Sequence, residues 1–535
     1  LVAGEEAAGY AVTVTEAGES ERFFLQRQID ESKSPAERNR LGQFSTPFPL
    51  ACQILARSKG ELPSDVPISF IEPALGTGVF FSALRHGSQG RVIKEAVGVE
   101  IDPAYGEISK RLWECSDFHV EIGDFLLFTG NPVNHARFNL LCTNPPYVRH
   151  HHLLPDAKVA LQSRIREQMG LAVSGLSGLY VYFVLVADSI IAKDGIASWL
   201  LPAEFLYVNY GRALREYLTK QVTLLSIHHF DPENVQFDDA LVSSCIVIYR
   251  KKRPAFNTSF CFSFGGDFEH PDHTRILNIE DQKGKLKWTL PHFDLPDVPN
   301  QDNLKLRDIF SVHRGIATGA NEYFIIEQET IERYSIPRPF LKPILPSPRL
   351  LTQEVIESDP NGTPLLENLH FLLDCDQPPH VVREEYSGLW SYFEKGMEQG
   401  IHNRYLCANK DVWYFQEKRQ PSLFLATYMG RSNGNKRSPI RFILNMSKAV
   451  ATNVYLHLYP TEGLSRLLGN DRSRMLELLR ILNAIPLEEL LLAGRAYGGG
   501  LHKVEPKELL EVTLPDVPEW LRIGTVKQLI LIGPA

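Results

Sequence analysis

The hydrophobic pattern changes character three times along the chain. Residues 1–35 are mostly polar and predict a mobile arm or a short helix. From 36 to 253, short apolar runs alternate with amphipathic stretches. "ISFIEPA" (68–74), "AVGVEI" (96–101), "FNLLCT" (138–143) and "GIASWLLP" (195–202) read as strands ending in turn residues. The stretches 48–58, 79–86, 103–114 and 180–193 read as helices between them. That alternation is the signal of βαβ units and a parallel sheet covered by helices. "VTLLSIHHF" (222–230) and "LVSSCIVIYR" (241–250) then follow one another without a helix, which predicts an antiparallel pair. Residues 254–305 are rich in Pro, Asp, Lys and Gly and predict a linker or insertion, and residues 306–535 a second domain of mixed α+β character. No internal repeat or long low-complexity tract interrupts this plan.

Composition adds limits. A chain of 535 residues is too long for one hydrophobic core. With 44% hydrophobic and 22% charged residues it has the make-up of an ordinary globular protein, and no apolar run reaches membrane-spanning length, so no membrane partner is expected. The first residues lack an initiating Met and carry acids without a basic start, which does not fit a signal peptide. Seven cysteines are dispersed with no CxxC pair, which predicts reduced thiols in a cytoplasmic protein rather than disulfides or zinc. The net charge of −8 argues against nucleic acid on average. The average conceals an asymmetry, because 401–460 holds nine Lys/Arg against only Asp411 and Glu417, a local balance of +7.

The candidate chemistry lies at the ends of the predicted strands. In "FIEPALGTGVFFSAL" a strand delivers Glu72, Gly76 and Gly78 turn the chain, and a helix begins. Glycines let backbone approach a ligand, and a helix start offers free N–H groups. The next strand ends at Glu100, roughly 20 residues after the glycines, where an acid can hold ribose hydroxyls. A third, "FHVEIGDF", ends at Asp124, which can accept from an adenine amino group. Each acid alone could be a cap or turn residue; three in order make a nucleoside site at the carboxyl edge of a parallel sheet. The fourth strand presents Asn144-Pro145-Pro146-Tyr147 at the same edge. The Asn side-chain oxygen and the Pro145 carbonyl are two acceptors in a rigid loop, suited to an amino group with two N–H bonds, and Tyr147 offers a face for a flat ring. Consecutive histidines cannot all face one ion, so His150–His152 predict no metal; they read as a solvated loop or as a phosphate or base contact. The tract from Leu154 to Gly175 reads as a flexible helix or lid.

The order "GQFSTP" (42–47), "EPALGTG", "GVEID", "GDF", "NPPY" resembles the adenine-N6 DNA methyltransferases of the γ arrangement, of the TaqI type found in restriction–modification systems. The resemblance covers about 40–250, continues through "GLYVYFVLVADSIIAKDGIASWLLPAEFL" (178–206) and "QFDDALVSSCIVIY" (236–249), and returns in "GIATGANEYFII" (315–326) and "GRAYGGGLHKVEP" (494–506). It implies an α/β fold: a Rossmann-like class I S-adenosylmethionine-dependent domain with a mostly parallel seven-stranded sheet, joined to a mixed α+β target-recognition domain. It implies S-adenosylmethionine as cofactor and double-stranded DNA as partner, with a cognate restriction endonuclease as a further possible partner. Thr46, Glu72, Ala74 and Gly76 would then line the methionine part of the cofactor, Glu100 would hold the ribose, Ile101 and Phe183 would pack on the adenine, and Asp124 would take its amino group. Asn144 and Pro145 would grip the target N6 and Tyr147 would stack on the target base. Phe237 falls in the family's second aromatic position, although its spacing to the next strand is one residue longer than the family pattern. Arg431, Lys436, Arg437 and Arg441, beside "WYF" (413–415) and amides such as Asn445, are the residue types that grip phosphates and read base edges.

Other readings stay open at this level. A cytosine-N4 enzyme shares the amino-group chemistry but usually carries Ser at the position of Asn144. NPPY also occurs in methyltransferases acting on protein glutamine or RNA, which lack a large following domain. A non-catalytic DNA-binding subunit would not need Glu100, Asp124 and NPPY together. No PD…ExK arrangement is found in 1–40, so the chain is expected to methylate and not to cut.

Overall fold

Why the first region forms one sheet is visible in its burial. Strand β1 (Ile68–Glu72) is buried at every position, and its alternate side chains enter different cores. Ile71 joins Leu141, Trp199 and Val247 on one face, while Phe70 joins Leu140, Cys142 and Ile246 on the other. Such continuous apolar strands are what a sheet covered on both faces requires. In this computed structural model, which describes residues 3–34, 37–38, 42–87, 91–148, 153–231, 243–285, 287–288, 304–431, 440–497 and 501–522, β1 is followed by β2 (Ile93–Glu100), β3 (Phe118–Ile122), β4 (Phe138–Thr143), β5 (Ile191–Pro202), β6 (Thr223–His229), β7 (Ser244–Arg250), β8 (Ser259–Phe264) and β9 (His273–Asn278). Their order is β3-β2-β1-β4-β5-β7-β6-β8-β9. The pairs from β3 to β5 are parallel, and β7 runs antiparallel between β5 and β6, as the sequence pattern expects.

The helices on this sheet are α1 (Ala3–Ser32), α2 (Phe48–Gly60), α3 (Val79–Gly87), α4 (Pro103–Trp113), α5 (Pro155–Met169), α6 (Leu179–Ala187) and α7 (Arg212–Lys220). Helix α6 is buried from Tyr180 to Ala187. It ends earlier than the 180–193 expected, because Ile191 and its successors already belong to β5; an unbroken apolar run does not itself mark where helix gives way to strand.

Two expectations about the flanks change. The polar start is a long helix, packed through its C-terminal half on α3 and α4, with Arg22, Gln26 and Ile29 buried on one face at helical spacing. The stretch 254–305 is not simply a linker: β8 and β9 extend the seven-stranded sheet to nine. Strand β9 is largely exposed and lacks apolar alternation, so its sequence resembled a loop.

A second compact unit begins at Asp294. Its centre is a five-stranded sheet in the order Phe310–Arg314, Tyr455–Pro460, Phe424–Thr427, Phe442–Asn445, Val355–Ile356, accompanied by two three-stranded sheets. All seven cysteines are free thiols, and among the described residues no helix is long and apolar enough to cross a membrane.

Candidate functional site

The strand order reverses between β1 and β4, and at the carboxyl ends beside that switch lies a cavity of about 630 Å³. This is where open α/β sheets hold ligands, and the volume suits a nucleoside-sized molecule. Thr46, Glu72, Ala74, Gly76, Glu100, Ile101, Asp124, Phe183, Asn144 and Pro146 all line it. Topology thus gathers residues spread over more than a hundred positions: Glu72, Glu100, Asp124 and Asn144 lie at or just after strand ends on the same edge, while Thr46 comes from the segment before α2 and Phe183 from α6.

Glu72 is 1% exposed and accepts from the Phe80 and Phe81 N–H groups of α3 at 3.5 and 3.2 Å. Burial pushes its carboxyl well above the usual range, against the pull of those N–H groups and of Arg22. Glu100 is raised for the same reason, and each of its oxygens takes one backbone N–H, from Gly76 at 2.7 Å and Asp102 at 2.8 Å. Asp124 caps the short helical turn Phe125–Phe128 through Oδ1, accepting from Leu126 N–H at 2.8 Å. Its Oδ2 takes no hydrogen bond among the described residues, so capping and ligand binding are compatible roles. Phe183 packs on Phe125 with ring centroids 5.1 Å apart and lines the cavity beside it.

The two glycines of the turn separate in role. Gly76 has φ of +55°, and a Cβ there would meet nothing within 4 Å, so the turn leaves a cradle open beside the cavity wall. Gly78, expected as a cofactor residue, does not line the cavity. A Cβ there would strike the Trp113 ring, whose Nε1 donates to Thr77 O at 2.8 Å, so Gly78 allows α4 to pack.

The Asn-Pro-Pro-Tyr loop is tied to the 42–46 segment. Asn144 Nδ2 donates to Phe44 O at 3.0 Å and to Thr46 Oγ1 at 3.2 Å. Both partners are acceptors here, so the amide is turned one way, and its Oδ1 is buried without a hydrogen-bond partner among the described residues. The Pro145 carbonyl likewise accepts no hydrogen bond there. Tyr147 N–H donates to Gly42 O at 3.2 Å, an approach so close that a Cβ on Gly42 would overlap the Tyr147 backbone. The Tyr147 ring is 8% exposed, tilts against Phe44 at 5.6 Å and donates its hydroxyl to Leu200 O at 3.1 Å. Burial raises its phenol well above the ordinary value, so it stays neutral. Neither Tyr147 nor Pro145 lines the cavity, whereas Asn144 and Pro146 do.

Several expected residues are placed elsewhere. Phe237, His150–His152, Lys436 and Arg437 lie outside the described residues, as does the Arg431 side chain. Arg441 is not a free surface cation: its guanidinium donates to the carbonyls of Pro348, Leu351, Thr352 and Gln353, where it fastens a loop. Asn445 is buried, donating to Ser422 O and Ala449 O. Tyr414 is buried and stacks on Phe393 at 4.0 Å, so "WYF" is core rather than a base platform. Conversely, Arg22, Gln26 and Asp30 of α1 line the cavity and were not singled out from sequence. Their i, i+4, i+8 spacing was the available signal.

The chain is similar to known proteins along most of its length. The family model of the Eco57I restriction-modification methylase matches residues 94–236, and that of the type II methyltransferase M.Eco57I C-terminal domain matches residues 295–530. The second match begins one residue after the second unit does. The chain is similar to type II methyltransferase M.AccI of Acinetobacter calcoaceticus, 25% identical over 91% of this chain and 87% of the relative. It is also similar to type II methyltransferase M.XamI of Xanthomonas campestris pv. amaranthicola, 26% identical over 89% and 86%. The solved type IIL restriction-modification enzyme MmeI in complex with DNA aligns over 78% of this chain and 59% of its own, less than two thirds, at 14% identity and a TM-score of 0.49. With one family model on the catalytic region and its companion spanning the second unit, the chain belongs to the methyltransferases of restriction–modification systems.

Proposed function

We propose that the protein moves the methyl group of S-adenosylmethionine to N6 of an adenine flipped out of duplex DNA, as the modification part of a restriction–modification system. The observation that carries this reading is the orientation of Asn144: its N–H groups are held by Phe44 and Thr46, and its buried oxygen is left to accept. A buried acceptor without a partner costs stability and calls for a ligand donor. An exocyclic amino group has two N–H bonds to give, one to Asn144 Oδ1 and one to the Pro145 carbonyl. Holding both hydrogens draws the nitrogen lone pair out of the ring and stabilises the positive charge that builds on nitrogen during transfer.

The cavity fits the cofactor. Gly76 leaves room where backbone must pass close to it, and Thr46, Glu72 and Ala74 surround that end. Glu100 and Ile101 serve the ribose and one face of the base, and Asp124 and Phe183 the amino group and the other face. S-adenosylmethionine, when bound, supplies an already activated methyl group. The residues therefore have a positioning task, worth several kcal/mol when a near-attack geometry is held. Flipping a base costs a few kcal/mol, of which stacking on an aromatic face such as that of Tyr147 returns about 1–3. The second unit is read as the target-recognition domain, with its DNA contacts in the tract around Lys436 and Arg437.

The test is methyl transfer from labelled S-adenosylmethionine to unmethylated duplex DNA, followed by nucleoside analysis. N6-methyladenine is expected. N4-methylcytosine would overturn the target base, and an unlabelled DNA with label on RNA or protein would overturn the substrate class.

A further inference from the structure

The walls of the cavity are strongly acidic. Asp30, Glu72, Glu100, Asp102 and Asp124 line it, and the cations among the described lining residues are Arg22 and Lys158. Lys158 sits on α5, where its ammonium donates to Gly175 O in an exposed setting. Arg22 differs: it is 3% exposed and fixed at the glycine turn. Its Nε and Nη2 donate to Glu19 at 2.8 and 2.6 Å, and Nη1 donates to Thr77 Oγ1 at 2.9 Å, between Gly76 and Gly78. A guanidinium carries more N–H groups than these contacts use. Around it α1 is stitched to the other walls. Thr77 donates its hydroxyl to Gln26 Oε1 at 2.6 Å, Gln26 Nε2 donates to Asp30 at 3.0 Å, and Asp30 accepts from Tyr105 of α4 at 2.8 Å and from Ser45 at 3.2 Å.

A ligand that brings an amino-acid carboxylate into this acidic cavity needs a cation at the glycine turn. We propose that α1 is the fourth wall of the cofactor cavity, and that Arg22 receives the carboxylate of the methionine moiety. This rests on the S-adenosylmethionine reading above. Arg22 is the cation at that end: it lies on the turn that opens the Gly76 cradle and is coupled electrostatically to buried Glu72, the group placed to take the ligand ammonium. The two charges of the amino acid are thereby matched by one residue from α1 and one from β1. Arginine suits the task because Nε and Nη2 hold Glu19 and Nη1 holds Thr77 with one N–H each, which leaves further N–H groups of the planar fork for a carboxylate.

The experiment is calorimetric titration of the full chain with two ligands. S-adenosylhomocysteine carries the amino-acid end; 5′-methylthioadenosine keeps the nucleoside and lacks it. Arg22→Ala is expected to weaken S-adenosylhomocysteine at least about tenfold while leaving methylthioadenosine within about twofold. Arg22→Lys, which keeps the charge and loses the fork, should fall between. Melting curves of both variants check that the fold survives. Equal weakening of both ligands would mean that Arg22 only supports the cavity's shape, and no weakening of either would mean it touches no ligand; both results overturn the assignment. A wild-type protein that binds neither ligand would overturn the cofactor reading itself.

Discussion

Asn144 performs two tasks with one amide: its N–H groups close onto the 42–46 segment, and its oxygen is thereby free for a substrate. Asn144→Ala is therefore expected to lower turnover by about 10²–10³, the cost of deleting one preorganised polar group at a reacting centre, with little change in S-adenosylhomocysteine affinity. Single-turnover kinetics beside calorimetry checks the split. For Tyr147 the ring and the hydroxyl separate. Tyr147→Phe removes the hydroxyl and its bond to Leu200 O, about 1 kcal/mol, and should keep turnover within a few-fold; Tyr147→Ala should lose both activity and several degrees of melting temperature. Parallel melting curves and methylation rates would contradict this if the Phe variant were as inactive as the Ala variant. At this scale the sequence was informative where chemistry demands rare neighbours: Asn, two Pro and Tyr after a strand have few other uses. It misled where a residue type has many uses. Arg441 looks like a phosphate contact in sequence, but the fold surrounds it with backbone carbonyls, which only the structure reveals.

Elements explain why two acids can sit buried side by side. Glu72 and Glu100 end adjacent parallel strands; N–H groups of α3 close on Glu72, and those of Gly76 in the glycine turn and of Asp102 close on Glu100. Burial still dominates and raises both carboxyls above their ordinary value of 4.5. A folded-state pKa above the unfolded one means that the folded chain holds the proton more tightly. Stability tied to these groups is present below the ordinary value and is lost as pH rises through the folded pKa. Glu72→Gln keeps an accepting oxygen and removes the charge, so it should melt higher than wild type near pH 8, the gap shrinking towards pH 4.5. Differential scanning across that range decides it. The ammonium of the cofactor favours the ionised form, so S-adenosylhomocysteine affinity should rise with pH in the wild type and be flat in Glu72→Gln. Elements were legible wherever the apolar period was clean: β1 to β4, α2 to α4 and the β6–β7 pair fall where alternation put them. Helix α1 and strands β8 and β9 were not. The buried positions of α1 and β9 are few or polar, and β8, although it buries Phe260 and Phe262, lies in a tract of loop-like composition; their order comes from packing on elements distant in sequence.

Across the whole molecule, local charge in the sequence is not surface charge. The +7 balance of 401–460 is reduced by acids that the second unit folds against it: Arg404 pairs with Glu322 and Lys418 with Asp376, while Arg419 joins its neighbour Glu417. Lys410 is half-buried and donates to Thr318 O. Lys448 stays exposed, and the DNA contacts proposed above lie in the tract from Arg431 to Arg437. Charge reversal at Lys436 and Arg437 is expected to weaken DNA binding about tenfold or more at low salt and to flatten its salt dependence, whereas Arg441→Ala should lower the melting temperature of the second unit. Filter-binding isotherms across a salt series, with melting curves, separate the two; equal DNA affinity after reversal would remove that tract from the interface. The composition shift near residue 300 lies close to the start of the second unit, but the use of each cation was not legible, because ion pairs form between segments that sequence order keeps apart. The strip from Gly42 to Thr46 carries a last consequence. One short piece of chain borders the cavity proposed for the methyl donor and also aims the Asn144 amide, so neither half of the proposed chemistry can drift without disturbing the other. On the function proposed above, change is cheapest where that strip has no say, and a second unit that reads the target could be remodelled for new sequences while the reaction itself is passed on unchanged.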